Sequence, residues 1–233
     1  METEINDVAD FIRYVLETSR SRHPLYRGHS SRAYELIPSL GRHLTHPDGS
    51  SCPPEYLQGR EIESLNEFRG ESVPFITDRN RTMLDVMVLA QHHGVPTRLM
   101  DWTTNPLVAL YFAARGVHAK TDGVVYIAPS PPMLPKEVRT GEVLPIEIDG
   151  GSIYHFVPQH IDMRISAQFS VFTLHGSPYK SVDKTAFESV WFKGSQKELI
   201  FAELHALGVN AQSIFPGLSG IGEKIRNSKF GQY

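Results

Sequence analysis

The spacing of apolar positions lays out helices first, then strands, then a closing helix. Ile5, Val8, Phe11, Ile12 and Val15 recur at helical intervals and predict an amphipathic helix over 4–19, ended by His23-Pro24. Leu25 and Tyr26 read as a strand running into Gly28. Tyr34–Leu40 is an edge or loop segment interrupted by Pro38, and 42–54 is a surface loop by its Gly, Ser, His and Pro content. Helices follow at 55–71, with Tyr56, Ile62, Leu65 and Phe68 on one side, and at 81–92, which is apolar all round and therefore buried. The β-branched run Gly123–Pro129 predicts a strand covered on both faces. The pattern then gives a long loop over 130–151 with a strand at 143–148, and strands at 153–159, 165–174 and 187–192. Ser195 with Glu198 three residues on, and Gly208 beyond the end, predicts a capped helix over 195–207; the tail through Ile225 reads as turns. This order argues for an α+β fold rather than a doubly wound sheet.

The densest stretch is Gln91–Ala114, QHHGVPTRLMDWTTNPLVALYFAA. Gly94 and Pro96 punctuate it, Thr97–Thr104 has the β-branched and aromatic content of a short strand, and Thr104 or Asn105 can cap a helix with Pro106 in its first turn. Leu107, Leu110, Tyr111 and Ala114 predict one buried face on that helix. Arg98, Asp101 and the threonines thus sit among apolar neighbours, where an unpaired polar group costs about 1–3 kcal/mol. Two readings satisfy them: an Arg98–Asp101 pair bracing the turn, or a ligand site.

Composition narrows the classes. The chain has 233 residues, 40% hydrophobic, enough for one sizeable core, and a single domain over 1–233 is expected. A net charge of −3 provides no global basic field for nucleic acid. One cysteine, Cys52, excludes an internal disulfide framework and suits a reducing compartment. No apolar run is long enough to span a bilayer, and the acidic start is neither a signal nor a transit peptide, so a soluble cytoplasmic protein without membrane partners is expected. His92-His93 are adjacent and match no zinc spacing, no carboxylate cluster suggests magnesium, and nucleophile elbow, P-loop and dinucleotide glycine motifs are absent, so no metal is expected.

Two further features carry candidate chemistry. Tyr26-Arg27-Gly28-His29 sets a guanidinium, a planar fork for phosphate or carboxylate, beside a glycine that lets a ligand come close. Arg164 and Gln168, read as i and i+4 on a strand, share one sheet face. Glu198, in Gln196-Lys-Glu198, has the Gln-x-Glu form of some ADP-ribosylating toxins, but Ser195-x-x-Glu198 is also a complete capping box. Polar residues in apolar or Gly-marked settings share a reason to be there. Arg27, Gln91 or His92, Arg98, Asp101 and Gln168 are therefore expected on one cleft of a bent, mostly antiparallel sheet flanked by helices, with Asp101 paired to Arg98 or Arg27.

Four pieces resemble the FRG domain family: Tyr26-Arg-Gly-His29 with Ile37-Pro-Ser-Leu40; Gln91 through Pro106; Arg164-Ile-x-x-Gln168 with Phe172-Thr173; and Glu203-Leu, Gly208 and Phe215-Pro216. The chain departs from the family at Gly217-Leu-Ser-Gly220, where aspartates are usual. A weaker resemblance, to ADP-ribosyltransferases, lies in the order Tyr-Arg-Gly, a Thr pair leading into an apolar helix, and a polar residue later on. That resemblance implies NAD as substrate, with Arg27 on the pyrophosphate or ribose and Thr103-Thr104 on the nicotinamide side. It puts Gln168 at the third position, normally a glutamate, where an amide cannot act as base. Tyr26, Gly28, His29, Gln91, His92, Arg98, Asp101, Trp102 and Arg164 complete the implied dinucleotide site. FRG domains occur mainly in bacteria and their phages, which implies a toxin or phage-defence effector with an antitoxin or other defence partner. The rival reading is a non-catalytic module sensing a nucleotide or phage component.

Overall fold

The computed structural model describes residues 2–18, 23–43, 52–76, 80–116, 120–159 and 163–230; most of the 42–54 segment lies outside them. Its strands are β1 (Glu2–Glu4), β2 (Leu25–His29), β3 (Leu99–Thr103), β4 (Gly123–Ala128), β5 (Ile153–Phe156), β6 (Ser170–His175) and β7 (Glu188–Phe192). The helices are α1 (Val8–Thr18), α2 (Pro54–Glu71), α3 (Met83–His92), α4 (Pro106–Ala114), α5 (Lys136–Thr140), α6 (Met163–Ala167), α7 (Lys197–Ala206), α8 (Ala211–Ile214) and α9 (Leu218–Phe230). The described residues form an α+β architecture, an open seven-stranded sheet with flanking helices. Strand order is β1-β7-β4-β2-β3-β6-β5, and every pairing is antiparallel except β1 with β7.

The pairing has one weak seam. Strand β2 pairs along its whole length with β4, and β3 along its whole length with β6, yet β2 and β3 share only the Tyr26–Thr103 position. The helices respect this division. Helices α1, α4, α7 and α8 bury Val8, Phe11, Leu110, Ile200 and Ile214 against Tyr26, Val125 and Val190 on one side of the seam. Helices α2, α3, α5 and α6 bury Leu65, Met87, Val138 and Ile165 against Leu99, Phe172 and Leu174 on the other. The opposite face of the sheet is one continuous layer of Leu25, Met100, Trp102, Val124, Tyr126 and Val171, covered by Leu36, Val182 and Phe187 from irregular segments. One face is therefore a single core and the other is two cores with a trough between them.

Several sequence expectations change. Residues 2–4 form a strand, so Glu4 belongs to it and α1 starts only at Val8. The α1 N-terminus is satisfied both locally, Asp10 N donating to Asp7 Oδ1 at 2.8 Å, and from outside, Val8 N donating to Glu203 Oε2 at 2.8 Å. Helix α2 turns Leu57, Glu61 and Leu65 inward and leaves Tyr56 and Ile62 exposed, because Glu61 has a buried partner described below. Helix α4 is buried nearly all round, being the central helix of its half, and Asn105 caps it by accepting from Leu107 N at 3.0 Å. Residues 143–148 hold a short 3-10 turn at Pro145–Glu147 and no strand, after the unexpected α5. The strand expected over 165–174 is a helical turn, α6, followed by β6, the two joined through Phe169 at φ 49°. Ser195 does not cap α7. A 3-10 turn at Gly194–Gln196 precedes it, Gln196 Oε1 accepts from Lys193 N at 2.9 Å, and Glu198 is exposed. Gly208 does end that helix region, at φ +84°. The tail forms α8 and α9. No helix among the described residues is long and apolar enough to cross a membrane.

Candidate functional site

The trough on the helix side holds a cleft of about 330 Å³ directly over the β2–β3 seam, at the lower end of the ~300–1,000 Å³ usual for small-molecule sites. Tyr26, Arg27 and Gly28 of β2 and Asp101, Trp102 and Thr103 of β3 form its floor. Gln91 and His92 at the end of α3 and Arg164 and Gln168 at α6 make one wall, and Val108, Ala109 and Phe112 of α4 with Phe215 make the other. Sequence reasoning thus named most of the polar lining, drawn from segments far apart in the chain.

Arg27 is the central group. Where the ladder between β2 and β3 opens, its Nη1 donates to the Asp101 carbonyl, supplying the hydrogen bond that a continued ladder would have made. Its Nε donates to His29 Nε2 at 3.0 Å. The Asp101 carboxylate lies farther off, with Oδ2 4.0 Å from Nη1. A guanidinium is thus largely buried against mostly neutral acceptors, and this desolvation lowers its pKa to about 10 despite the counteracting Asp101 charge. Burial also drives His29 down to about 3, aided by the positive charge of Arg27, and His175 down to about 4 in the same way. Both imidazoles are neutral at physiological pH, which leaves His29 Nε2 free to accept. His29 is therefore a support beneath Arg27 rather than part of the cleft lining.

Other expected residues have structural partners of their own. Arg98 neither lines the cleft nor pairs with Asp101. It is buried against Glu61 of α2, with Nη2–Oε2 at 2.7 Å, Nε–Oε2 at 2.8 Å and its backbone N donating to Oε1 at 2.9 Å. Leu99 and Asp101 share the helix-side face of β3, and Arg98 precedes that strand, so its side chain leaves toward α2. Gly28 does not make room for a ligand alone: a Cβ there would sit 1.9 Å from Ala109 O, so the glycine lets α4 lie directly on β2. Trp102 touches the cleft, but its Nε1 donates to Thr173 Oγ1 at 3.0 Å, and its ring packs edge-on to Phe187 in the opposite layer. Thr104 is exposed and extends the β3–β6 ladder, its N donating to Phe169 O at 3.1 Å. Gln91 faces the cleft and also accepts from Thr97 Oγ1.

Thr103 and Gln168 are tied together, Thr103 Oγ1 donating to the Gln168 carbonyl at 2.6 Å, while Gln168 Nε2 donates to Ile214 O at 3.2 Å. This stitch closes the far end of the seam. Arg164 and Gln168 do share a face, at helical rather than strand spacing. Sequence reasoning missed the aromatic wall. Phe112 and Phe215 pack edge to face at 6.0 Å, and only the Phe215-Pro216 motif pointed toward it. Glu203, from the same closing motif, caps α1 instead. Glu198 does not line the cleft. Among the described residues no group of three or more His, Cys, Asp or Glu side chains could hold a metal ion.

No curated protein and no solved structure matches the chain. The FRG domain model matches residues 22–122, a span that carries β2, α3, β3 and α4 and hence the floor and two edges of the cleft. The chain has an FRG domain over those residues.

Proposed function

We propose that the cleft binds an NAD-type dinucleotide and that the protein is an ADP-ribosyltransferase-like effector acting on bacterial or phage processes. The observation that carries this reading is the setting of Arg27. A largely buried guanidinium held by a carbonyl and a neutral imidazole, with its nearest carboxylate among the described residues at 4.0 Å, is a cation whose charge those residues balance incompletely. Its position on the floor of a cleft matches an anionic ligand, and a second guanidinium, Arg164, lines the same cleft. Two cations suit a pyrophosphate, while Phe112 and Phe215, set edge to face, offer an apolar wall for a nicotinamide or adenine ring. Thr103 and Gln168 lie on the ribose side in this arrangement.

Calorimetry with NAD tests the reading. Wild-type protein is expected to bind, and Arg27→Lys, which keeps the charge but loses the fork, to weaken binding by about 10- to 100-fold, the value of one or two charge-assisted hydrogen bonds. Absence of heat at millimolar NAD with folded protein would sink it. A second reading, a non-catalytic nucleotide sensor, is favoured by Gln168, whose amide cannot act as base and is already tied to Ile214 O. Expression in a bacterial host separates the two: a catalytic effector slows growth and Arg27→Ala relieves it, whereas a sensor leaves growth unchanged.

A further inference from the structure

Strand β3 is an interior strand, and on it Leu99, Met100, Trp102 and Thr103 are buried while Asp101 alone is exposed, its side chain 63% accessible. On the helix-covered face of a central strand that exposure is unusual, and it arises because Asp101 opens into the trough between the two helix-side cores. Aspartate is also a poor strand former. Its carboxylate accepts no hydrogen bond among the described residues, since Arg27 bonds to the main-chain oxygen and stands 4.0 Å from Oδ2. Asp101 is also the one carboxylate among the described side chains lining the cleft. Beyond its 4.0 Å approach to Arg27 the described residues make no use of this acid, and the cleft has free access to it.

We infer that Asp101 is the catalytic carboxylate of the cleft, in the role that the amide of Gln168 cannot fill; this rests on the dinucleotide reading above. With pyrophosphate on Arg27 and the nicotinamide ribose over β3, the Asp101 carboxylate faces the sugar carbon that becomes electron-poor. The bond between C1′ of the ribose and the nicotinamide nitrogen breaks, and its electron pair moves onto that nitrogen and neutralises the ring's positive charge. Positive charge that develops on the ribosyl group is stabilised by Asp101. A water, or a hydroxyl or amine of an acceptor, forms the new bond to C1′ and passes its proton to Asp101 and then to solvent. With water as acceptor the products are ADP-ribose, nicotinamide and one proton, and no metal or redox partner enters the balance.

The test uses the full chain with NAD, following nicotinamide release by chromatography and binding by calorimetry. Asp101→Asn, nearly isosteric at an exposed position, is expected to stay folded by circular dichroism and to bind NAD within a few-fold of wild type. Its turnover at saturating NAD should fall by about 100-fold or more, the usual scale for removing a positioned acid–base group. Asp101→Glu, which keeps the carboxylate, is expected to retain partial turnover. Weaker binding with turnover intact at saturation would make Asp101 a mere brace for Arg27 and overturn the inference. Wild-type binding without nicotinamide release would also overturn it while leaving the sensor reading in place. No wild-type binding at all would remove the dinucleotide reading, and this inference with it.

Discussion

Glu61→Leu is the most informative perturbation of the fold. Glu61 and Arg98 are both buried, their side chains 0% and 2% exposed, and the carboxylate accepts from Nε at 2.8 Å, stands 2.7 Å from Nη2 and accepts from the Arg98 backbone N at 2.9 Å. Leucine fills roughly the same volume but strands a guanidinium and a peptide N–H. Removing one partner of a buried pair costs about 3–5 kcal/mol, a large part of the ~5–15 kcal/mol that holds a domain folded. For a chain of this size that lowers the melting temperature by roughly 6–20 °C. Urea unfolding followed by circular dichroism reads the loss directly. Adding Arg98→Met removes the stranded charge, so the double variant should recover more than half the loss. It should stop short of full recovery, because the backbone N–H of residue 98 still lacks an acceptor, worth about 1–3 kcal/mol. A single-variant loss below about 1 kcal/mol, or a double variant no more stable than Glu61→Leu, would refute the assignment of stranded charge as the cost.

Gly28→Ala places a methyl 1.9 Å from Ala109 O, and the backbone of α4 must shift to admit it, so a loss of about 3 kcal/mol or more is expected in thermal melts. Because burial holds His29 near 3 and His175 near 4, below the ~6.5 of an unfolded chain, the unfolded state takes up protons that the folded state refuses. Their stabilisation is thus fully present above about pH 6.5 and is lost as pH falls toward those values, by up to roughly 1.4 kcal/mol per pH unit for each histidine. Urea midpoints taken from pH 7 to 4.5 should show that slope, and His175→Gln should reduce it. Phe169 stands at φ 49° with 54% of its surface exposed, so Phe169→Asn, a residue that tolerates this region, should gain up to about 1 kcal/mol in the same assay.

Local chemistry made part of this molecule legible before any fold was known. The β-branched run at 123–128, the cap and proline opening α4, and the glycine after α7 are signals carried within a few residues, and each appears as expected. The gathering of Arg27, Gln91, Asp101 and Gln168 was legible for a different reason: polar groups in apolar settings need company, and the neighbouring residues in the sequence show where such settings are. What the chain could not declare locally was which partner each group would find. Arg98 has an aspartate three residues away and pairs instead with a glutamate 37 residues back, because the start of β3 turns it toward α2. Residues 163–168 are too short for periodicity to separate helix from strand, and packing of Ile165 beside Leu134 and Phe156 decided for the helix. The glycines of α9 argue against a helix, yet Gly220 is where the chain must pass against Phe215 O, a contact any side chain would block. The seam between β2 and β3 is the plainest case. Each strand's own sequence specifies a strand, but only the division of the helices into two cores leaves the pair joined at one position, with a cleft above it. Sequence alone marked most of the longer elements and their polar exceptions; long-range packing, which no local period encodes, decided the remaining elements and what those exceptions face.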